Sequence, residues 1–257
     1  MLELIDSHAH LDEVEDIDNV LDKARQTGVT AIVAVGQDKS SNQANLQLAA
    51  RYPGFVLPAL GLHPWSLAGM ETAQIEQSLE FILSNLSQAP AIGEIGLDYD
   101  KRVLKGAGKE LQQEVLKRLL EIAARFNKPV SLHSRYAWKD CLRAVKDSGL
   151  TRAVFHWYTG FSSTLAEIVE AGYYISATPA AEYHEEHRRA VREAPLDRLL
   201  LETDSPVNYG RENRYRSQPS DVLRSLKACA EIKGMAEEEI ARITTANARV
   251  LFKFDQS

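Results

Sequence analysis

The sequence predicts an α/β fold, a TIM-type (β/α)8 barrel with an additional C-terminal helix, on three observations. Short apolar runs alternate with longer amphipathic segments eight times along the chain. The length of 257 residues matches the roughly 250 of one closed barrel. Chemistry-bearing side chains recur at the C-terminal ends of the apolar runs, where such barrels build their sites. Residues 1–257 are therefore expected to form a single barrel domain, and a hydrophobic fraction of 44% suffices for its core.

The first strand is expected over Leu2–Asp6, an apolar run leading into Ser7-His8-Ala9-His10. Ile17–Thr27 reads as its amphipathic helix, ended by Gly28 where a left-handed residue is needed. Strand Ala31–Val35 pairs with helix Ser41–Tyr52, and strand Val56–Gly61, leading into Leu62-His63-Pro64, with helix Thr72–Ser87. Ala91–Ile95 carries Glu94, and the long helix Lys109–Phe126 stops before Pro129. Val130–His133 and helix Ala137–Asp147 follow, then Ala153–His156 and helix Ser163–Ala171, with Gly149 and Gly172 as helix ends. Tyr173–Ser176 with Glu182–Glu193, and Leu199–Glu202 with Ser220–Ile232, complete the eight units. The additional helix, near Ala236–Asn247, is expected to pack on the outside.

Two connections exceed the roughly 2–6 residues usual in such units. Asp98–Gly108 carries Lys101, Arg102 and Lys105; Ser205–Pro219 carries Arg211, Arg214 and Arg216 beside Tyr209 and Tyr215. On the ligand-bearing face, cations with interleaved aromatics can hold phosphates and stack bases. For any one of these residues a solvated loop charge is the simpler reading.

The net charge of −6 argues against a protein that coats nucleic acid with a broad basic surface, yet allows a nuclease with a local basic rim. Cys141 and Cys229 show no zinc-type spacing and read as ordinary, partly buried thiols of a reducing compartment. With neither a signal-like start nor about 18 consecutive apolar residues, a soluble cytoplasmic protein without membrane contact is expected. No obligate protein partner is evident.

Alternate side chains of a strand share a face, so His8 and His10 present two imidazoles to one point. With Glu94, His133, His156 and Asp204 the set can hold two divalent ions, since imidazoles suit borderline metals and a carboxylate can bridge two centres. By position, His8, His10 and Asp204 are expected at one metal, His133 and His156 at the other, and Glu94 between them. Asp6 and Glu202, each two residues before a ligand, could orient it or bind backbone instead. His184 and His187, among Glu185, Glu186, Arg188, Arg189 and Arg192, read as part of a solvated helix face. G-x-S-x-G, phosphate-loop and dinucleotide motifs are absent, which removes serine-nucleophile and redox classes.

Read together, His8-Ala9-His10, Gly61-Leu62-His63-Pro64, Gly93-Glu94-Ile95-Gly96-Leu97-Asp98-Tyr99, Leu132-His133-Ser134-Arg135, His156-Trp157-Tyr158-Thr159-Gly160 and Glu202-Thr203-Asp204-Ser205-Pro206 resemble the TatD family of metal-dependent deoxyribonucleases. The resemblance spans nearly the whole chain in order. It implies a deoxyribonuclease of the 3′–5′ exonuclease type with two divalent ions (Mg, Mn or Zn), and DNA as the substrate. It also implies ligand roles for His8, His10, Glu94, His133, His156 and Asp204, and a phosphate contact for His63. Trp157-Tyr158 departs from the Cys-Phe of many members, and the basic stretch after Tyr99 from their aromatic-rich continuation.

The leading expectation is phosphodiester hydrolysis by metal-activated water, with Asp204 as general base, Glu94 holding the metal pair, and His63 and Arg135 on the phosphate. One alternative is hydrolysis of a lactone, amide or ester on the same barrel. A non-catalytic binding module is the other.

Overall fold

The structure is a computed structural model that describes residues 2–254. Eight parallel strands follow one another in chain order: β1 (Leu4–Ala9), β2 (Val29–Val35), β3 (Val56–Leu60), β4 (Ala91–Gly96), β5 (Val130–His133), β6 (Ala153–Phe155), β7 (Tyr174–Ala177) and β8 (Leu199–Leu201). Among the described residues the ring is closed by backbone pairing at its C-terminal rim. There Ala9 bridges Ser205 in parallel, the Asp204 N–H donates to the His8 carbonyl at 2.9 Å, and the His10 N–H donates to the Ser205 carbonyl at 2.7 Å. The expected meeting of the first and last motifs is thus made by the backbone of the motifs themselves.

Parallel strands in such a barrel are covered on both faces. Accordingly every residue of β1 and β4 is buried. Inward side chains Ile5, Val33, Ala59, Ala91, Val154 and Leu200 form an inner core, separate from the larger layer between strands and helices. The surrounding helices are α1 (Ile17–Gln26), α2 (Lys39–Arg51), α3 (Thr72–Asn85), α4 (Lys101–Leu104), α5 (Lys109–Arg125), α6 (Trp138–Asp147), α7 (Ser162–Glu170), α8 (Glu185–Glu193) and α9 (Val222–Lys233). Gly28, Gly149 and Gly172 have positive φ, as their helix-ending roles require.

The last helix, α10 (Glu237–Phe252), corrects one expectation. Its Ala248, Leu251 and Phe252 join the inner core with Ile5 and Val33, so the helix seals the barrel floor rather than decorating the outside. Burial of its apolar side chains against the strand interior is the driving force. Strand β1 also begins and ends later than expected, carrying His8 within the sheet. Both cysteines are fully buried, not partly.

The long connections are ordered differently from a charged, aromatic rim. Ser205–Pro219 folds into an antiparallel ribbon of β9 (Asn208–Tyr209) and β10 (Tyr215–Arg216). Tyr209 is buried and donates to the Thr203 carbonyl at 2.8 Å, while Tyr215 lies 4.3 Å beneath the Arg224 guanidinium. Arg216 donates to the Glu13 carbonyl and Arg211 to that of Tyr183. These rings and two of these cations therefore brace the loop. Asp98–Gly108 contains α4 and is clamped by buried Gln112, which bonds the Asp98 N–H and the carbonyls of Asp98 and Ala107.

His187 is a further correction. It is wholly buried, with Nε2 accepting from the Thr178 N–H at 3.0 Å and Nδ1 donating to the Tyr158 carbonyl at 3.0 Å. The flanking charges hid a buried stripe of His187, Ala190 and Val191, spaced i, i+3, i+4. Arg188 is likewise tied down, to the Ala181 carbonyl and to Glu231.

Candidate metal centre

The site lies at the C-terminal rim, in a cavity of about 770 Å³ lined by His10, His63, Glu94, His133, His156 and Asp204, among others. Buried Glu94 is its centre. Its Oε2 lies 3.4 Å from His8 Nε2 and 3.4 Å from His10 Nε2. Asp204 Oδ1 lies 3.5 Å from the first of these nitrogens and 3.3 Å from the second. The other Glu94 oxygen, Oε1, meets His133 Nδ1 at 2.9 Å, His156 Nε2 at 2.8 Å and His63 Nε2 at 3.3 Å. His8, His10, His133, His156 and His63 thus converge on the Glu94 carboxylate, and Asp204 faces His8 and His10 beside it.

Local backbone features produce this convergence. Asp204 sits at φ +49, a left-handed conformation rare for a residue with a side chain, and its side chain points into the cluster from beyond β8. Gly61 lies against the Glu94 backbone so closely that an added Cβ would stand 2.4 Å from its N and O. Gly96, at φ +148, similarly leaves no room for a Cβ beside the His133 carbonyl. Only glycine lets β3, β4 and β5 approach at the height of Glu94 and His133.

Polar partners set the orientation of the rings. The Trp65 N–H donates to His63 Nδ1 at 3.1 Å, which makes Nδ1 an acceptor and puts the proton of neutral His63 on Nε2. Burial pushes His63 down to about 4 and keeps it neutral, so it faces the cavity as a donor. Glu202 Oε1 faces His156 Nδ1 at 3.4 Å and Asp98 Oδ2 faces His133 Nε2 at 2.8 Å, so each imidazole turns its remaining nitrogen to Glu94. Glu202 therefore orients His156. Asp6 instead accepts from the His8 and Thr203 backbone N–H groups and from the Thr203 hydroxyl, and Ser131 Oγ meets the His8 ring at 3.1 Å. Burial disfavours the Glu94 carboxylate, but His63, His156 and His8 outweigh it and hold the carboxyl well below the usual range.

Asp98 and Trp65 were not singled out by the motifs. Asp98 is buried and accepts from His133, Trp65 Nε1 at 2.6 Å, Arg135 Nε at 3.2 Å and the Asp100 N–H at 2.8 Å. The signal was present: Glu94, Gly96 and Asp98 alternate, so Asp98 continues the face of β4 that carries Glu94. Arg135 reaches the cavity with its guanidinium also 3.3 Å from Asp100.

His8, His10, Glu94 and Asp204 fit a divalent metal ion. Two donors each about 2.1 Å from one tetrahedral ion stand roughly 3.4 Å apart. The four separations among His8, His10, Glu94 and Asp204 are 3.3–3.5 Å, and buried His8 Nε2 has no hydrogen-bond partner. Oε1 of Glu94 is closed on by direct hydrogen-bond distances from His133 and His156 instead, a tighter arrangement on that side. Compact groups of metal-binding type include His8 with His10 and Asp204, and His63 with Glu94 and His133. No helix of the described residues is long and apolar enough to cross a membrane.

The comparisons with known proteins agree with this chemistry. The family model of TatD related DNases matches residues 5–253. Human deoxyribonuclease TATDN3 is 36% identical, the match covering 97% of this chain and 94% of that protein. YabD of Bacillus subtilis (strain 168), an uncharacterized metal-dependent hydrolase, is 33% identical over 98% of this chain and all of its own length. The crystal structure of YJJV, a TatD homolog from Escherichia coli K12, superposes with a TM-score of 0.88 at 30% identity, covering 98% of both chains. The barrel and its sequence together place the protein: the chain belongs to the TatD related DNase family.

Proposed function

We propose that this metal-dependent hydrolase cleaves phosphodiester bonds of DNA, working as one barrel unit with two divalent ions at the Glu94 cluster. The observation that carries the reading is the spacing of His8, His10, Glu94 and Asp204, whose donors stand apart as the ligands of one ion do, while the second Glu94 oxygen turns to His133 and His156. His8, His10 and Asp204 would hold one ion and His133 and His156 the other, with Glu94 shared. Divalent ions held there supply positive charge against phosphate oxygens and acidify water, a role open to Mg²⁺, Mn²⁺ or Zn²⁺.

The chain's own groups divide the remaining work. Asp204 lines the cavity and is the base that takes the proton of the attacking water. His63, neutral with its proton on Nε2, donates to a phosphate oxygen. Arg135 is fixed by Asp98 and Asp100 and offers its remaining N–H groups to the same anion. As water adds to phosphorus, the P–O bond to the departing sugar oxygen breaks, and that oxygen takes up a proton from solvent and leaves as the alcohol. The family match and the similarity to human deoxyribonuclease TATDN3 support DNA over a small carbonyl substrate.

The test is chelator-stripped protein reloaded with Mg²⁺, Mn²⁺ or Zn²⁺ and offered single-stranded DNA labelled at either end, RNA and a lactone panel. Metal-dependent DNA cleavage is expected, with loss from the 3′ end, and Glu94→Gln should lack it. Cleavage of no phosphodiester, or equal cleavage by the variant, removes the reading.

A further inference from the structure

We infer that Trp65, Tyr136, Trp138 and Phe161 form a stacking strip for unpaired bases of the nucleic acid strand whose phosphate lies at the Glu94 cluster. The inference rests on the phosphodiesterase reading above and adds which residues grip the strand, and by which part of it.

The strip is continuous with the site. The Trp65 ring centroid lies 5.2 Å from that of His63 and 6.1 Å from that of His133. The Arg135 guanidinium then stands 5.4 Å from the Trp65 centroid and 6.0 Å from that of Tyr136. Tyr136 and Trp138 are 5.9 Å apart, and Trp138 and Phe161 5.6 Å, each pair edge to face. A chain of π faces with one cation among them therefore runs from the imidazoles of the cluster to the outer surface.

Folding does not explain the display of these rings. Trp65 is 49% exposed, and Tyr136 and Phe161 are each 61% exposed. They are three of the six exposed large apolar side chains among the described residues, brought together from the loops after β3, β5 and β6. Tyr136 holds φ +57, where asparagine or glycine sits more easily. Phe161 occupies the N-cap of α7 and makes no side-chain cap bond there, where serine or aspartate would stabilise the helix. At both positions local stability favours another residue type.

The chemistry selects the occupant. An aromatic strip offers faces, and unpaired bases offer faces in return, whereas a duplex buries its faces in its own stack. On a chain with net charge −6, stacking also supplies a grip that phosphate pairing alone would not. Arg135 can meet the backbone between stacked bases.

Two substitutions remove rings while suiting the local backbone: Tyr136→Asn, which tolerates positive φ, and Phe161→Ser, which caps α7. Binding of the metal-loaded double variant is measured by fluorescence anisotropy with a labelled phosphorothioate oligo-dT and with the same backbone bearing abasic residues. Turnover is measured on ordinary oligo-dT. Affinity for the base-bearing strand should fall by about tenfold or more. Affinity for the abasic strand should change little, and KM should rise much more than kcat falls. Undiminished affinity for oligo-dT, or equal loss on both strands, overturns the strip. Should the wild type cleave no phosphodiester at all, the function proposed above fails, while the two binding curves still decide the stacking surface.

Discussion

His133 donates from Nε2 to Oδ2 of buried Asp98 at 2.8 Å, and this bond fixes Nδ1 as the atom that faces Glu94. The same carboxylate holds Trp65 and Arg135, so one side chain aligns the His133 imidazole, a guanidinium and the first ring of the stacking strip. Asp98→Asn should weaken divalent metal affinity by about 10–100-fold, as loss of an orienting partner of a ligand does. Isothermal titration with Mn²⁺ or Zn²⁺ reads this directly; an unchanged affinity would show that His133 needs no orientation by Asp98.

Asp204→Asn should lower turnover by about 10²–10⁴-fold, the range for loss of a general base. Its peptide N–H, which donates to the His8 carbonyl, is retained in the variant, so circular dichroism should report an intact barrel. Near-normal activity would take Asp204 out of the base role.

The cluster should couple metal to stability. Glu94 and Asp204 face His8 and His10 at ion-holding distances, so a divalent ion should bind the folded chain in preference to the unfolded one. At a hundred times Kd the gain is about 2.7 kcal/mol. Differential scanning calorimetry should show the rise in Tm with Mn²⁺ for the wild type and a much smaller one for Glu94→Gln.

His187 makes stability depend on pH. Burial holds its imidazole down to about 4, against 6.5 in an unfolded chain. Between these values the unfolded chain binds a proton that the folded protein refuses, so acid favours unfolding. The contribution is complete above pH 6.5 and falls by about 1.4 kcal/mol per pH unit as the pH drops toward 4. Urea titrations of wild type and His187→Gln across this window should differ in slope by about that amount; parallel profiles would contradict the assignment.

Gly61→Ala should cost about 3 kcal/mol, at the upper end of overpacking penalties, because the new methyl meets backbone rather than a movable side chain. The displaced strand is the one that carries Glu94, so metal affinity should fall together with the urea midpoint. A variant of wild-type stability and affinity would mean that β3 and β4 part without consequence.

The alternation of apolar runs and amphipathic helices determined the barrel and the order of its strands, because periodicity and burial are local properties of sequence. The residue types at strand ends likewise brought His8, His10, Glu94, His133, His156 and Asp204 to notice, since a barrel directs those ends to one rim. What lies between elements distant in sequence was legible only in three dimensions. The same charged segment that reads as a solvated face buries His187 against Tyr158 and Thr178, and the aromatics of the last long loop turn inward to brace it. The exposed rings instead come from three separate loops. Asp98 gains its position from partners as far as 37 residues away, and α10 its place in the barrel floor from strands at the other end of the chain. Sequence determined which groups could do chemistry; tertiary packing decided which of them meet, because hydrogen bonds and core contacts are made across space and leave no period in the chain.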